Sequence, residues 1–136
     1  MTRIHLKQSV GALILVVGLT SLVGCGNATG NQPVTGEVTF QGKPLDSGSI
    51  QFFTTAGPAG PAGGAMITAG KYELPGVHGL PPGTYTVWIN SPEPDPTDKS
   101  AFPATKERIP KSYNTQSKVT VEVRAGTANR FDFAIE

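Results

Sequence analysis

Cys25 is the only thiol in the chain, and it stands between two glycines in SLVGCGNATG, residues 21–30. With no second cysteine it cannot form an intrachain disulfide, so what it offers is a nucleophilic sulfur. Beyond it lies a single histidine, His78, in Gly76-Val77-His78-Gly79. Zinc and similar ions want three or four His, Cys or carboxylate ligands together, and His78 has no acidic neighbour nearby in sequence. It is expected to be an exposed loop histidine. No serine lies in a nucleophile elbow, and no further histidine past Cys25 could complete a triad. The densest acidic group is Glu93, Asp95 and Asp98 in PEPDPTDKS. Calcium takes oxygen ligands from a flexible loop, but D-x-x-D between prolines matches no such loop, and solvated charge is the expectation. No catalytic residue, metal site or cofactor is therefore expected.

The elements around Cys25 say what its sulfur is for. Residues 1–9, MTRIHLKQS, are positive through Arg3 and Lys7, and residues 10–23, VGALILVVGLTSLV, are apolar. That run is shorter than the roughly 20 residues a bilayer span needs and has the size of a secretory h-region. It ends in Leu22-Val23-Gly24-Cys25, which resembles the lipobox of bacterial lipoprotein signal peptides. An ordinary leader would prefer Ala-x-Ala before its cut, which is absent. The resemblance implies a diacylglyceryl thioether on Cys25, cleavage between Gly24 and Cys25, and acylation of the new amino group by a fatty acid such as palmitate. Two or three chains, each contributing about 0.8 kcal/mol per buried CH₂, would hold the protein on membrane lipid, where one chain would be marginal. Gly26 stands where an Asp would resemble an inner-membrane retention signal, which tilts the expected location toward the outer membrane or cell surface. Residues 26–33, GNATGNQP, have linker composition and reach roughly 26 Å when stretched.

The rest of the chain is that of one turn-rich β domain. In 136 residues there are 17 Gly and 12 Pro, with aromatics at 7% and charged residues at 15%. The net charge of +1 is carried by the leader: without Arg3 and Lys7, nine basic residues face ten acidic ones. No basic patch follows, so nucleic acid is not an expected partner. Apolar residues recur at every second position in 34–40, 49–54, 84–90, 118–124 and 130–136, with shorter candidates at 64–68 and 71–75. Gln41-Gly42-Lys43-Pro44, Asp46-Ser47-Gly48, Pro81-Pro82-Gly83 and Ala125-Gly126-Thr127 separate these runs, and Ala69-Gly70 is a two-residue hairpin candidate. No stretch of ten residues has helical period. Seven short strands in about 100 residues predict an all-β sandwich. The triplets GPAGPAGGA, 57–65, are too few for a collagen helix and are expected to form a flexible loop.

The segments VTGEVTFQGKPLDSGSIQF (34–52), GKYELPGVHGLPPGTYTVWINSP (70–92) and IPKSYNTQSKVTVEVRAGTANRFDFAIE (109–136) resemble the carboxypeptidase regulatory-like domain, itself similar to transthyretin. More closely they resemble small bacterial lipoproteins that carry one such domain. The resemblance implies a seven-stranded Greek-key β-sandwich over 34–136, with 1–24 as leader and 25–33 as lipidated Cys and tether. It implies no activity, since such domains are mostly accessory modules. The hydroxyisourate hydrolase that shares the transthyretin fold depends on several His and Arg residues and a C-terminal Tyr-Arg-Gly-Ser. This chain ends Phe133-Ala134-Ile135-Glu136, so that activity is not carried over.

What is left for recognition is aromatic. Trp88 falls opposite Tyr85, Val87 and Ile89 on period 2, and Phe53 is out of phase with Ile50 and Phe52. An outward Trp can stack on a sugar or anchor a partner, or it can simply cover the sheet beneath the proline-rich loop 91–116. The expectation is a lipid-anchored, non-enzymatic β module that binds or scaffolds an envelope protein or glycan. The alternative is a carbohydrate- or solute-binding lipoprotein using Trp88, Phe53 and the 91–116 loop.

Overall fold

The computed structural model describes residues 30–57 and 60–136. Cys25, Gly24, the leader and most of the tether lie outside the described residues. The body is all β. The strands are β1 (Val34–Phe40), β2 (Lys43–Pro44), β3 (Ser47–Thr54), β4 (Pro61–Thr68), β5 (Lys71–Leu74), β6 (Gly83–Asn90), β7 (Pro92–Pro94), β8 (Thr105–Glu107), β9 (Thr120–Val123), β10 (Asn129–Arg130) and β11 (Phe133–Ile135). Single 3₁₀ turns occupy Gly76–His78 and Lys111–Tyr113.

One curled sheet has the order β10-β1-β5-β4-β3-β6-β9, with β11 continuing beside β1 past β10 and β2 folding back on the end of β1. Every pairing is antiparallel except those of β1 with β10 and β11. Alternation sets the core as the apolar period requires: Ile50 and Phe52 from β3, and Tyr85, Val87 and Ile89 from β6, are buried between the curled halves. Val34 and Val38 are buried too, and between them Gly36 leaves room where a Cβ would stand 1.8 Å from the Phe131 carbonyl oxygen. Tyr72, also buried, donates its hydroxyl to that same oxygen at 2.7 Å, so the close approach is held by a hydrogen bond.

The turns follow their residue types. Ala69 and Gly70 both have positive φ, 50° and 79°, and join β4 to β5 as a two-residue hairpin. Gln41 and Gly42, at 50° and 75°, do the same between β1 and β2. Both match the mirror-image turn that suits the twist of paired strands.

Three expectations are corrected. The triplet segment 57–65 is not all loop, because β4 begins at Pro61, and Gly63 and Gly64 pair with Phe52 and Gln51. A Cβ on Gly64 would come within 2.6 Å of the Ile50 carbonyl oxygen and one on Gly63 within 2.8 Å of the Leu80 side chain, so Gly64 serves close strand approach and Gly63 leaves room for the core. The run 130–136 is two short strands, because the Asp132 carboxylate accepts the Glu37 N–H at 2.8 Å where a ladder bond would otherwise form. The loop 91–116 contains its own hairpin, β7 paired with β8.

Candidate functional site

Strand directions divide the body into two ends. The chain enters at a near end, where Gln32 and Leu80 exchange backbone hydrogen bonds of 2.8 and 3.0 Å and Gly126 donates to the Gln32 side chain at 3.3 Å. The Gly76–His78 turn and the 124–128 turn lie there. His78 is exposed. β6 then runs to the far end, where the β7–β8 hairpin projects.

The two aromatics singled out in the sequence are brought together. Phe53 pairs with Thr86 and Gln51 with Trp88 across β3 and β6, which makes Phe53 and Trp88 diagonal neighbours on the outer face. Their ring centroids are 4.5 Å apart, with planes inclined at 41°. Both are half-buried. The pair is a bent aromatic surface with the Gln51 amide beside it, a chemistry that suits the C–H face of a sugar ring or an apolar side chain.

The acidic group is put to work inside its loop. Asp95 accepts from the Thr97 N–H at 2.8 Å and from its hydroxyl at 2.7 Å. Asp98 accepts from the N–H groups of Ser100 and Ala104 at 2.9 and 2.8 Å. These bonds hold both carboxyls below the ordinary carboxylate range, the Thr97 hydroxyl leading for Asp95 and the Ala104 N–H for Asp98. The tip they order carries Phe102, 92% exposed. Among the described residues no group of three or more His, Cys, Asp or Glu is arranged to hold a metal ion.

A network that sequence reasoning missed fastens the hairpin to the sheet. Ser91 is buried and donates its hydroxyl to the Ser47 carbonyl. Arg108 donates from Nε to the Ser91 Oγ at 2.8 Å and from Nη2 to Asp46, whose carboxyl it holds below the usual value. Glu107 accepts the N–H groups of Ser91 at 2.9 Å and Ile109 at 2.8 Å. Asp46 and Arg108 are 62 residues apart, so no spacing rule could join them. Past the hairpin, Ile109 enters the core and buried Asn114 donates to its carbonyl at 3.1 Å, pinning the loop's return.

Comparison with family models, with curated proteins and with solved structures finds no match.

Proposed function

We propose that this chain is a lipid-anchored protein of a bacterial envelope, whose β body serves as a non-enzymatic binding or scaffolding module. The observation that carries the reading is Leu22-Val23-Gly24-Cys25, placed directly after a positive start and a short apolar run. The body supports it in two ways. Its path of seven strands is what a Greek-key sandwich of the carboxypeptidase regulatory-like kind would use, with β10 and β11 counted as one. The Gln32–Leu80 bridge also fixes where any tether starts. Six residues, 26–31, separate Cys25 from Gln32, a length that spans at most about 20 Å, so the near end would face the bilayer and the hairpin would face away.

The chemistry is an attack by the Cys25 thiolate on the glyceryl carbon of a phospholipid donor, forming a thioether and releasing the headgroup phosphate. The small residue Gly24 lets the peptidase reach the next bond. The test is mass spectrometry of the protein purified from its native membrane. A chain that begins at Cys25 and carries the added mass of diacylglycerol is expected. An unmodified thiol, or a retained leader, overturns the reading.

A second reading has its own observation, the Phe53–Trp88 contact beside Gln51. In that reading the outer face of β3 and β6 binds a glycan by ring stacking. Binding on a glycan array that is lost in Trp88→Ala supports it, and no binding by either protein ends it.

A further inference from the structure

The two ends of the curled sheet turn toward each other without pairing. At the near end the 124–128 turn links β9 to β10. There Asn129 closes the gap, accepting the Arg124 N–H at 2.8 Å and donating to the carbonyls of Arg124 and Thr127 at 3.0 and 3.3 Å. Toward the far end the Tyr113 hydroxyl reaches the Ala134 carbonyl at 3.5 Å. Between these closures, among the described residues, β9 pairs with β6 alone, and β10 and β11 pair with β1 alone.

Val87 donates its N–H to the Val119 carbonyl at 2.9 Å. The alternation of an antiparallel ladder then turns the backbone groups of residues 119, 121 and 123 toward β6, and those of Thr120 and Glu122 outward. Those outward groups have no partner among the described residues. The interior of the seam is apolar. Val119, Val121, Phe131 and Phe133 pack on the core yet stay only partly buried. A cleft of about 560 Å³ lies there, walled by Thr120, Val121 and Glu122 on one side and Asn129 and Phe131 on the other.

We propose that this seam is a docking slot for an extended peptide of a partner protein, which adds a strand to the free edge of β9 and sets apolar side chains at alternate positions against Val121 and Phe131. Outward N–H and C=O groups repeating along an edge are matched by another extended backbone and not by a helix. An apolar floor under them asks for an apolar residue at every second position of that backbone. The free edge of β9 is about 13 Å long, which sets the strand at four to six residues. The chain's own tether, Gly26-Asn27-Ala28-Thr29, has no large apolar side chain and does not meet this requirement. A second copy offers a β9 already flanked by β6, which cannot enter a slot between two strands. The apolar run 10–23 is taken as removed with the leader, as in the proposed function, whose mass-spectrometric test is separate from the one below.

The experiment is selection of a displayed library of random linear dodecapeptides on the full-length protein. Enriched peptides should alternate apolar and polar residues. Thr120→Pro and Glu122→Pro each remove one outward N–H and leave the β6 ladder untouched, and each should weaken binding at least tenfold. Trp88 fluorescence melts check that both variants fold. If either does not, amide exchange in the wild type decides: bound peptide should slow exchange at Thr120 and Glu122. Unchanged exchange there, enriched peptides that bind the proline variants equally well, or a library with no alternating binders overturns the proposal. So does dimerisation of the protein alone that Thr120→Pro abolishes, since the edge would then belong to a second copy.

Discussion

At the scale of single residues, two glycines in one strand and its turn have opposite reasons to be glycine. Gly36 is there for space, because any Cβ would collide with the Phe131 carbonyl and with the Tyr72 hydroxyl 2.7 Å away. Gly42 is there for its φ of +75°, with nothing within 4 Å of a built Cβ. Gly36→Ala should therefore cost about 3 kcal/mol through overpacking, whereas Gly42→Ala should cost about 1 kcal/mol through backbone strain. Urea midpoints of the two variants measure the difference, and equal costs would mean that the β1–β10 contact relaxes freely. Tyr72→Phe leaves the Phe131 oxygen without its donor and should cost about 1–2 kcal/mol. Burial among Phe52 and Phe133, and then the Asp132 charge, raise the Tyr72 phenol above its ordinary range. It should thus stay protonated, and keep donating, well into alkaline solution, as ultraviolet titration would show. Period 2 located Tyr72 in a short strand, but it says nothing of Phe131, 59 residues away, whose oxygen is the reason for both Gly36 and Tyr72.

At the scale of elements, the proline-rich stretch after β6 is a hairpin held by side chains. The Asp95 and Asp98 carboxylates order its tip only while ionised. Both are held below their ordinary value of 3.8 in the folded chain, so their contribution is fully present above that pH and fades as acid takes them through the lowered folded values. Amide signals of Ser100 and Ala104 should begin to broaden below about pH 4, while those of β3 and β6 stay sharp; a tip that holds unchanged to pH 2 refutes the account. At the base, Glu107→Ala strips the acceptor from two N–H groups, one of them on buried Ser91, and should cost about 2 kcal/mol. The sequence made β1, β3 and β6 plain, because their buried residues recur at every second position, with Phe53 and Trp88 as the only large apolar side chains out of phase in β3 and β6. It hid β7 and β8, which are three residues each and rich in proline and charge. It caught residues 64–68 of β4 but misled over the strand's start, where Pro61 and the glycines that usually signal a loop belong to the strand, Gly64 lying close against β3.

At the scale of the whole molecule, the body should unfold as one cooperative unit, because its first strand is completed by its last. β1 pairs with β10 and β11, about 95 residues later, and Ile135 is buried against the same core as Val38. Unfolding in urea should give one transition, coincident by Trp88 fluorescence and by far-ultraviolet circular dichroism. Ile135→Ala should shift it by about 3 kcal/mol despite sitting next to the chain end. Two separated transitions would show that the halves of the sheet melt independently. Pairings this distant in sequence also imply slow folding, in the range of milliseconds to seconds. The all-β class was legible because composition and period agreed. The seam was not, since it depends on which two strands end up at the margins of the sheet, and alternation looks the same in a central strand and in a marginal one.

The two hydrogen bonds between Gln32 and Leu80 have a mechanical consequence. A pull on the chain upstream of Gly30 loads them on its way into β1. That strand is clasped along both margins, by β5 on one side and by β10 and β11 on the other. Traction along its axis must slide it past its neighbours, straining many bonds at once instead of peeling them one by one. The body is built to resist being tugged by its leading end far better than its modest size would suggest.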